Sequence, residues 1–210
     1  MSKPNPYALY NAAMRLGNIY RFASLKLDKP YNGAEHSFRV AVLSMCIADQ
    51  YNSNHPTKQI NIEEVLRKAL LHDIEESLMG GDLPTPIKNR SAQFKAEYLK
   101  LGTELMAETV KHSPMPEQYL KLWKEDKSGE SGEVIRVADW LEALSSAHYE
   151  IIRGNLSMKM AYYNLREMGQ SEILQSLLEK YPYARDFYNE KKSVPQSIQT
   201  LLDEIDSQDF

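Results

Sequence analysis

Residues 70–88 read LLHDIEESLMGGDLPTPIK, and how they are read decides the fold. His72 and Asp73 follow Leu70-Leu71, at a point where a helix heading for a core should continue with apolar side chains. Glu75 and Glu76 come next, then a Gly80-Gly81 break and a proline-bearing loop that carries Asp82. On a helix each residue advances about 100°. With His72 at zero, Asp73 stands at about 100°, Glu76 at about 40° and Glu75 at about 300°. Glu76 therefore projects between His72 and Asp73 while Glu75 leans aside, so Glu76 is the expected working acid. A neutral imidazole and an adjacent carboxylate can both ligate one divalent cation if other helices complete the shell.

Helical spacing extends along the whole chain. It predicts helices over 6–18, 35–51, 62–79, 91–112, 116–126, 131–153, 157–168 and 171–180, with weaker ones over 184–191 and 196–206. Phe38, Ala41, Val42, Met45 and Ala48 keep the three- and four-residue spacing, as do Phe94, Tyr98, Leu101 and Leu105. No alternating Val/Ile/Thr run is bounded by a hairpin turn. NSNHPTKQ (52–59) and KEDKSGESGE (124–133) read as connectors. The expectation is an all-α bundle, one domain over residues 1–210, a length able to bury a full core.

Composition narrows the function. Apolar residues at 42% and charged residues at 26% suit a globular chain rather than a disordered one. A net charge of −4 without a basic stripe argues against a duplex nucleic-acid binder. It leaves room for a small phosphorylated substrate, because a metal can supply positive charge locally. The single cysteine, Cys46, can form no internal disulfide and lies in the apolar run VAVLSMCIA, so a core thiol and a reducing compartment are expected. MSKPNPYALYN lacks an apolar signal core, and no run approaches membrane-spanning length. A cytoplasmic protein with no membrane partner is the expectation.

The other ligands must come from distant segments. In YNGAEHSFRVAVLSM, His36 falls in the first turn of a helix just ahead of an apolar stripe. In IRVADWLEAL, Asp139 sits between Ala138 and Trp140, where a carboxylate is costly unless paired, hydrogen-bonded or metal-bound. Each also has an ordinary reading, His36 as a hydrogen-bonded structural histidine and Asp139 as a paired acid. Taken together, His36, His72, Asp73 and Asp139 form a mixed nitrogen/oxygen set from three helices. His55 is a loop residue, and His112 lies near a helix C-terminus where an imidazolium suits the dipole. His148 is more than two turns beyond Asp139, and Tyr149, Tyr162 and Tyr163 are better read as packing residues than as base-stacking ones.

EHS, HDIEE and RVADWLEAL on an all-helical chain resemble the HD-domain metal phosphohydrolases, with GDLPTPIK closest to the bacterial 5′-deoxynucleotidases of the YfbR type. The phage dATP triphosphohydrolases of the DatZ type share the framework. The likeness runs over about residues 14–150. It implies His36, His72, Asp73 and Asp139 as ligands of one divalent ion (Co, Mn, Zn, Fe, Ni or Mg), Glu76 as the catalytic acid handling the attacking water, and Asp82 as a second acid. Arg21 in IYRFASL is implied to bind phosphate, and a guanidinium suits that role; without the resemblance it reads as a surface charge. Lys88 is a further phosphate candidate, set against an ordinary solvated lysine. Phe22 replaces the Trp expected in the deoxynucleotidases; an apolar ring there would crowd the sugar 2′ position. The gap from the HD pair to GDLPTP is one residue longer here, through Gly80-Gly81. The implied activity is hydrolysis of 2′-deoxynucleoside 5′-monophosphates by a homo-oligomer, such as a dimer. The alternatives are a dATP triphosphohydrolase and, more distantly, a non-catalytic nucleotide-binding protein on the same fold.

Overall fold

Local chemistry sets where the helices begin. Asn32 and Glu35 form a reciprocal capping box at the start of one long helix. Asn61 accepts from the Glu64 amide and Ser91 from the Phe94 amide at two others. Pro116 and Pro182 each occupy a first helical turn, where a missing N–H costs nothing. The computed structural model describes residues 4–88 and 90–206, so the expectation about a signal core falls partly outside the described residues. The helices are α1 (Ala8–Leu16), α2 (Gly33–Asn54), α3 (Ile62–Leu71), α4 (Ile74–Met79), α5 (Thr85–Lys88), α6 (Ala92–Val110), α7 (Pro116–Lys124), α8 (Gly129–Ile152), α9 (Lys159–Met168), α10 (Glu172–Lys180), α11 (Pro182–Lys191) and α12 (Gln196–Asp206). Among the described residues there is no strand, only an isolated bridge between Tyr20 and Asn32.

α2 and α8 pack on each other and on α3, forming the centre of the bundle. Two apolar clusters result. The larger takes Val40, Ile47, Val65, Ile135, Leu141 and Leu144 together with the C-terminal helices. The smaller gathers Ala12, Leu16, Leu71, Ile74, Met106 and Trp123. His72 and Asp73 stand where the clusters meet, since Ala69 belongs to the first and Leu71 and Ile74 to the second.

The helix expected over 62–79 is two helices, broken at that junction. His72 Nδ1 lies 2.7 Å from the Ala69 carbonyl, the acceptor a continuous helix would offer to the Asp73 amide. Asp73 leaves helical geometry, and α4 restarts with the Glu76 amide bonded to the Asp73 carbonyl. The proline-bearing loop also holds a short helix, α5, that spacing did not indicate. The apolar spacing on α2 divides as well: Ala41 and Ala48 are buried, but Phe38 is 64% exposed and Val42 41%. Cys46 is only partly buried and lines a cavity, contrary to the core position expected for it.

Candidate active site

The segment joining α1 to α2 is closed at its base, where the Gly33 amide donates to the Ile19 carbonyl and the Arg21 amide to the Tyr31 carbonyl. Gly33 permits this, since a Cβ there would lie 2.6 Å from a Leu16 methyl carbon. Arg21 is thereby delivered beside the first turn of α2, which carries His36. Phe22 sits at φ 51°, a left-handed conformation that costs a non-glycine residue about 1–2 kcal/mol. Its side chain packs on the larger core.

Four side chains from three places converge. One ligand atom from each of His36, His72 and Asp139 lies within 4.8 Å of the others. Asp73 Oδ2 joins them, 3.5 Å from His36 Nε2 and 3.2 Å from His72 Nε2. Both imidazoles present Nε2 to this point because Nδ1 is committed elsewhere: in His36 to Glu142 at 2.6 Å, in His72 to the Ala69 carbonyl. A carbonyl only accepts, so Nδ1 of His72 carries its proton and Nε2 holds a lone pair. That Nε2 is buried and has no hydrogen-bond partner. A two-imidazole, two-carboxylate set with an orphaned nitrogen at its centre fits a divalent cation.

The electrostatics are those of a crowded charge cluster. Burial opposes the charged form of Asp73, but His72, Arg21 and His36 outweigh it and hold its carboxyl well below the usual range. Burial likewise opposes ionisation of Asp139, and Lys127 and His36 reverse the balance. Burial and Arg21 disfavour the His36 imidazolium, yet its bonds to Asp139 and Glu142 carry its pKa up to about 9 in the chain alone.

Glu76 and Glu75 separate as the wheel indicates, although the helix beneath them is interrupted. Glu75 turns away and accepts from the Trp123 indole N–H at 2.8 Å. Glu76 faces the cleft, where Lys88 Nζ donates to Oε1 at 2.7 Å and Arg21 Nη1 lies 3.5 Å from Oε2. Burial, reinforced by Asp73, pushes the Glu76 carboxyl up to about 9, while Lys88 and Arg21 pull the other way. Gly80, at φ 85°, ends α4, and the Gly80 and Gly81 amides both bond the Glu76 carbonyl. The chain reverses there and sets Asp82 Oδ2 3.0 Å from Arg21 Nη1. Arg21 also lies 3.5 Å from Asp73, so one guanidinium spans three carboxylates. Its Nε is buried without a partner.

Phe22 stands apart from this cluster. It lines a cavity of about 500 Å³ with Tyr31, Phe38, Val42, Tyr149 and Phe187, and Glu142 also lines it. Two site residues escaped the sequence reading. Glu142 had a signal, lying three residues after Asp139 and so on the same face of α8. Lys127, whose Nζ donates to Asp139 Oδ2 at 2.7 Å, lies in a segment that read only as loop.

The chain is similar to several known proteins. A 5′-deoxynucleotidase of Vibrio vulnificus is 30% identical over 152 residues, 70% of this chain and 76% of that one. An HD-domain phosphohydrolase of Listeria innocua, at 24% identity, superposes with a TM-score of 0.63 over 87% of this chain and 97% of that one. The cyanophage S-2L HD phosphohydrolase DatZ, solved with dA and one catalytic Zn²⁺, gives a TM-score of 0.54 at 18% identity over 90% and 99%. The fold is therefore that of the HD-domain phosphohydrolases, and with a family model matching residues 8–193 the chain belongs to the YfbR-like 5′-deoxynucleotidases.

Proposed function

We propose that this protein hydrolyses 2′-deoxynucleoside 5′-monophosphates to deoxynucleoside and phosphate, with His36, His72, Asp73 and Asp139 holding one divalent cation. One juxtaposition supports the reading best: a cation donor set, a buried carboxyl and two cationic side chains share a single cleft. The bound ion would polarise a phosphoryl oxygen and lower the pKa of a coordinated water. Glu76 accepts the proton of the attacking water, a task that needs its carboxylate form. In the chain alone burial and Asp73 hold that carboxyl at about 9 against the pull of Lys88 and Arg21. A cation bound at Asp73 would add to that pull and favour the carboxylate, while Lys88 and Arg21 fix its direction. Arg21 turns its guanidinium to the phosphate oxygens and offsets the charge that develops on them. Asp82, held by Arg21, directs water or assists the departing 5′ oxygen. Phe22 sets the preference for a deoxy sugar from the neighbouring cavity, whose wall it forms with Tyr31.

The protein works in the cytoplasm, in keeping with its lone thiol. Among the described residues no helix is long and apolar enough to cross a membrane. Self-association has an apolar surface available, since Phe38, Val42 and Tyr149 are all exposed at the mouth of the same cavity.

The deciding experiment is product analysis with dAMP, AMP and dATP, in metal-free buffer and with added Co²⁺ or Mn²⁺. Metal-dependent orthophosphate from dAMP, with little from AMP, is the expected result. Triphosphate from dATP with dAMP intact would move the protein to the triphosphohydrolases. No product from any of the three would refute the substrate assignment.

A further inference from the structure

Lys127 is not a stray surface lysine. Its peptide is pressed onto the first turn of α8 so closely that a Cβ on Gly132 would lie 2.2 Å from the Lys127 carbonyl carbon. The next carbonyl, of Ser128, accepts from the buried ammonium of Lys68 at 3.0 Å, and Arg136 reaches the Lys127 carbonyl at 3.4 Å. With its backbone held on both sides, Lys127 sends Nζ to Asp139 Oδ2 at 2.7 Å, with Asp126 3.8 Å away. The two oxygens of Asp139 are thus divided. Oδ1 faces the histidines, 3.1 Å from His36 Nε2 and 3.8 Å from His72 Nε2, while Oδ2 is occupied by the ammonium.

We propose that Lys127 is a positioning residue that restricts Asp139 to one inward oxygen, keeping the outward oxygen off the cation so that water and phosphate have room on it. The inference rests on the metal-dependent reading above. A carboxylate free to turn can offer both oxygens to one cation. That would bind the ion more firmly and take space that the reaction needs. An ammonium beside the ligand pairs the buried carboxylate but also repels the ion, so its presence does not favour metal retention.

This yields a signature that structural support alone does not share. If Lys127 merely ties its loop to α8, removing it weakens metal binding, folding and turnover together. If it positions Asp139, removal leaves metal affinity equal or higher while turnover falls.

The test uses the full chain, stripped with chelator. Co²⁺ is titrated into wild type, Lys127→Met and Lys127→Arg, with affinity and the visible cobalt spectrum recorded before any substrate is added. Turnover of dAMP is then measured. Lys127→Met should bind Co²⁺ at least as tightly as wild type, with an altered cobalt spectrum, and turn over about 10–100-fold more slowly. Lys127→Arg, which keeps a cation on Oδ2, should recover most of the rate and the wild-type spectrum. Should Lys127→Met not fold, Lys127→Gln carries the same comparison. Wild-type turnover in the Met or Gln variant would overturn the proposal, and so would a joint loss of metal affinity and thermal stability. Failure of the wild type itself to bind Co²⁺ would overturn the metal-site reading beneath it, a result distinguishable from both.

Discussion

On one side of Glu142 lies a cleft where Asp73, Glu76, Asp82 and Asp139 stand within 4 Å of at least one of Arg21, Lys88 and Lys127. On the other lies a cavity of about 500 Å³ walled mainly by Phe22, Tyr31, Phe38, Val42, Tyr149 and Phe187. α2 and α8 supply residues to both. The cleft retains its buried charges because nearly every one has an opposite partner, without which each would cost several kcal/mol in a dry site. The cavity is held by packing; among its few ionic groups Glu150 accepts from the Asp28 and Lys29 amides, and Arg39 is spent on Glu142. Its carboxylate takes His36 Nδ1 at 2.6 Å, Ser146 at 2.9 Å and Arg39 at 3.4 Å. Mutations in the cleft should therefore act on chemistry, and mutations in the cavity on packing and assembly. Glu142 should report on both.

The largest break in that contrast is expected from the cleft floor. Asp73→Ala should lose both the cation and turnover, by about a thousand-fold or more in rate. Metal analysis showing full occupancy in that variant would contradict ligation. Glu76→Ala should keep its metal and lose about 10²–10⁴-fold in rate, and unchanged turnover would remove Glu76 from its role. Arg21→Ala comes next, with kcat/KM for dAMP expected to fall about 10²–10³-fold at unaltered metal content. Its melting temperature should fall too, because buried Glu76 and partly buried Asp73 and Asp82 lose their shared counter-ion. Glu142→Gln weakens the charge that orients His36 without changing shape. Metal affinity is expected to drop about 10–100-fold, read by competition with a calibrated chelator. The smallest effect belongs to the cavity mouth. Val42→Glu should leave dAMP turnover within about two-fold and shift the protein to a smaller assembly in light scattering; a fall in turnover comparable to that of Glu142→Gln would erase the distinction between the regions.

How much of this was legible beforehand can be judged residue by residue. The spacing of three and four places most helices within a few residues of where they lie, because helix formation is driven by local hydrogen bonds and a one-sided apolar face. The wheel separated Glu76 from Glu75 for the same reason: four residues from His72 and three from Asp73, Glu76 falls between them, whether or not the turn behind it is ideal. The break at His72-Asp73 was not legible. It depends on an imidazole taking the Ala69 carbonyl, a competition that spacing does not register. Nor was the exposure of Phe38 and Val42, since periodicity marks an apolar face without naming what covers it.

By itself, then, the sequence determined an all-helical chain and a short set of polar residues out of place on apolar helices, since both are properties of neighbours along the backbone. Only the tertiary structure decided that Arg21 reaches across three carboxylates, that Glu142 backs His36, and that Lys127 caps Asp139. Those pairs are separated by 52 to 106 positions in the first two cases and by 12, mostly the first turns of α8, in the third. Their meeting depends on how α2, α3 and α8 pack. Burial then makes each unpaired charge too costly to leave alone.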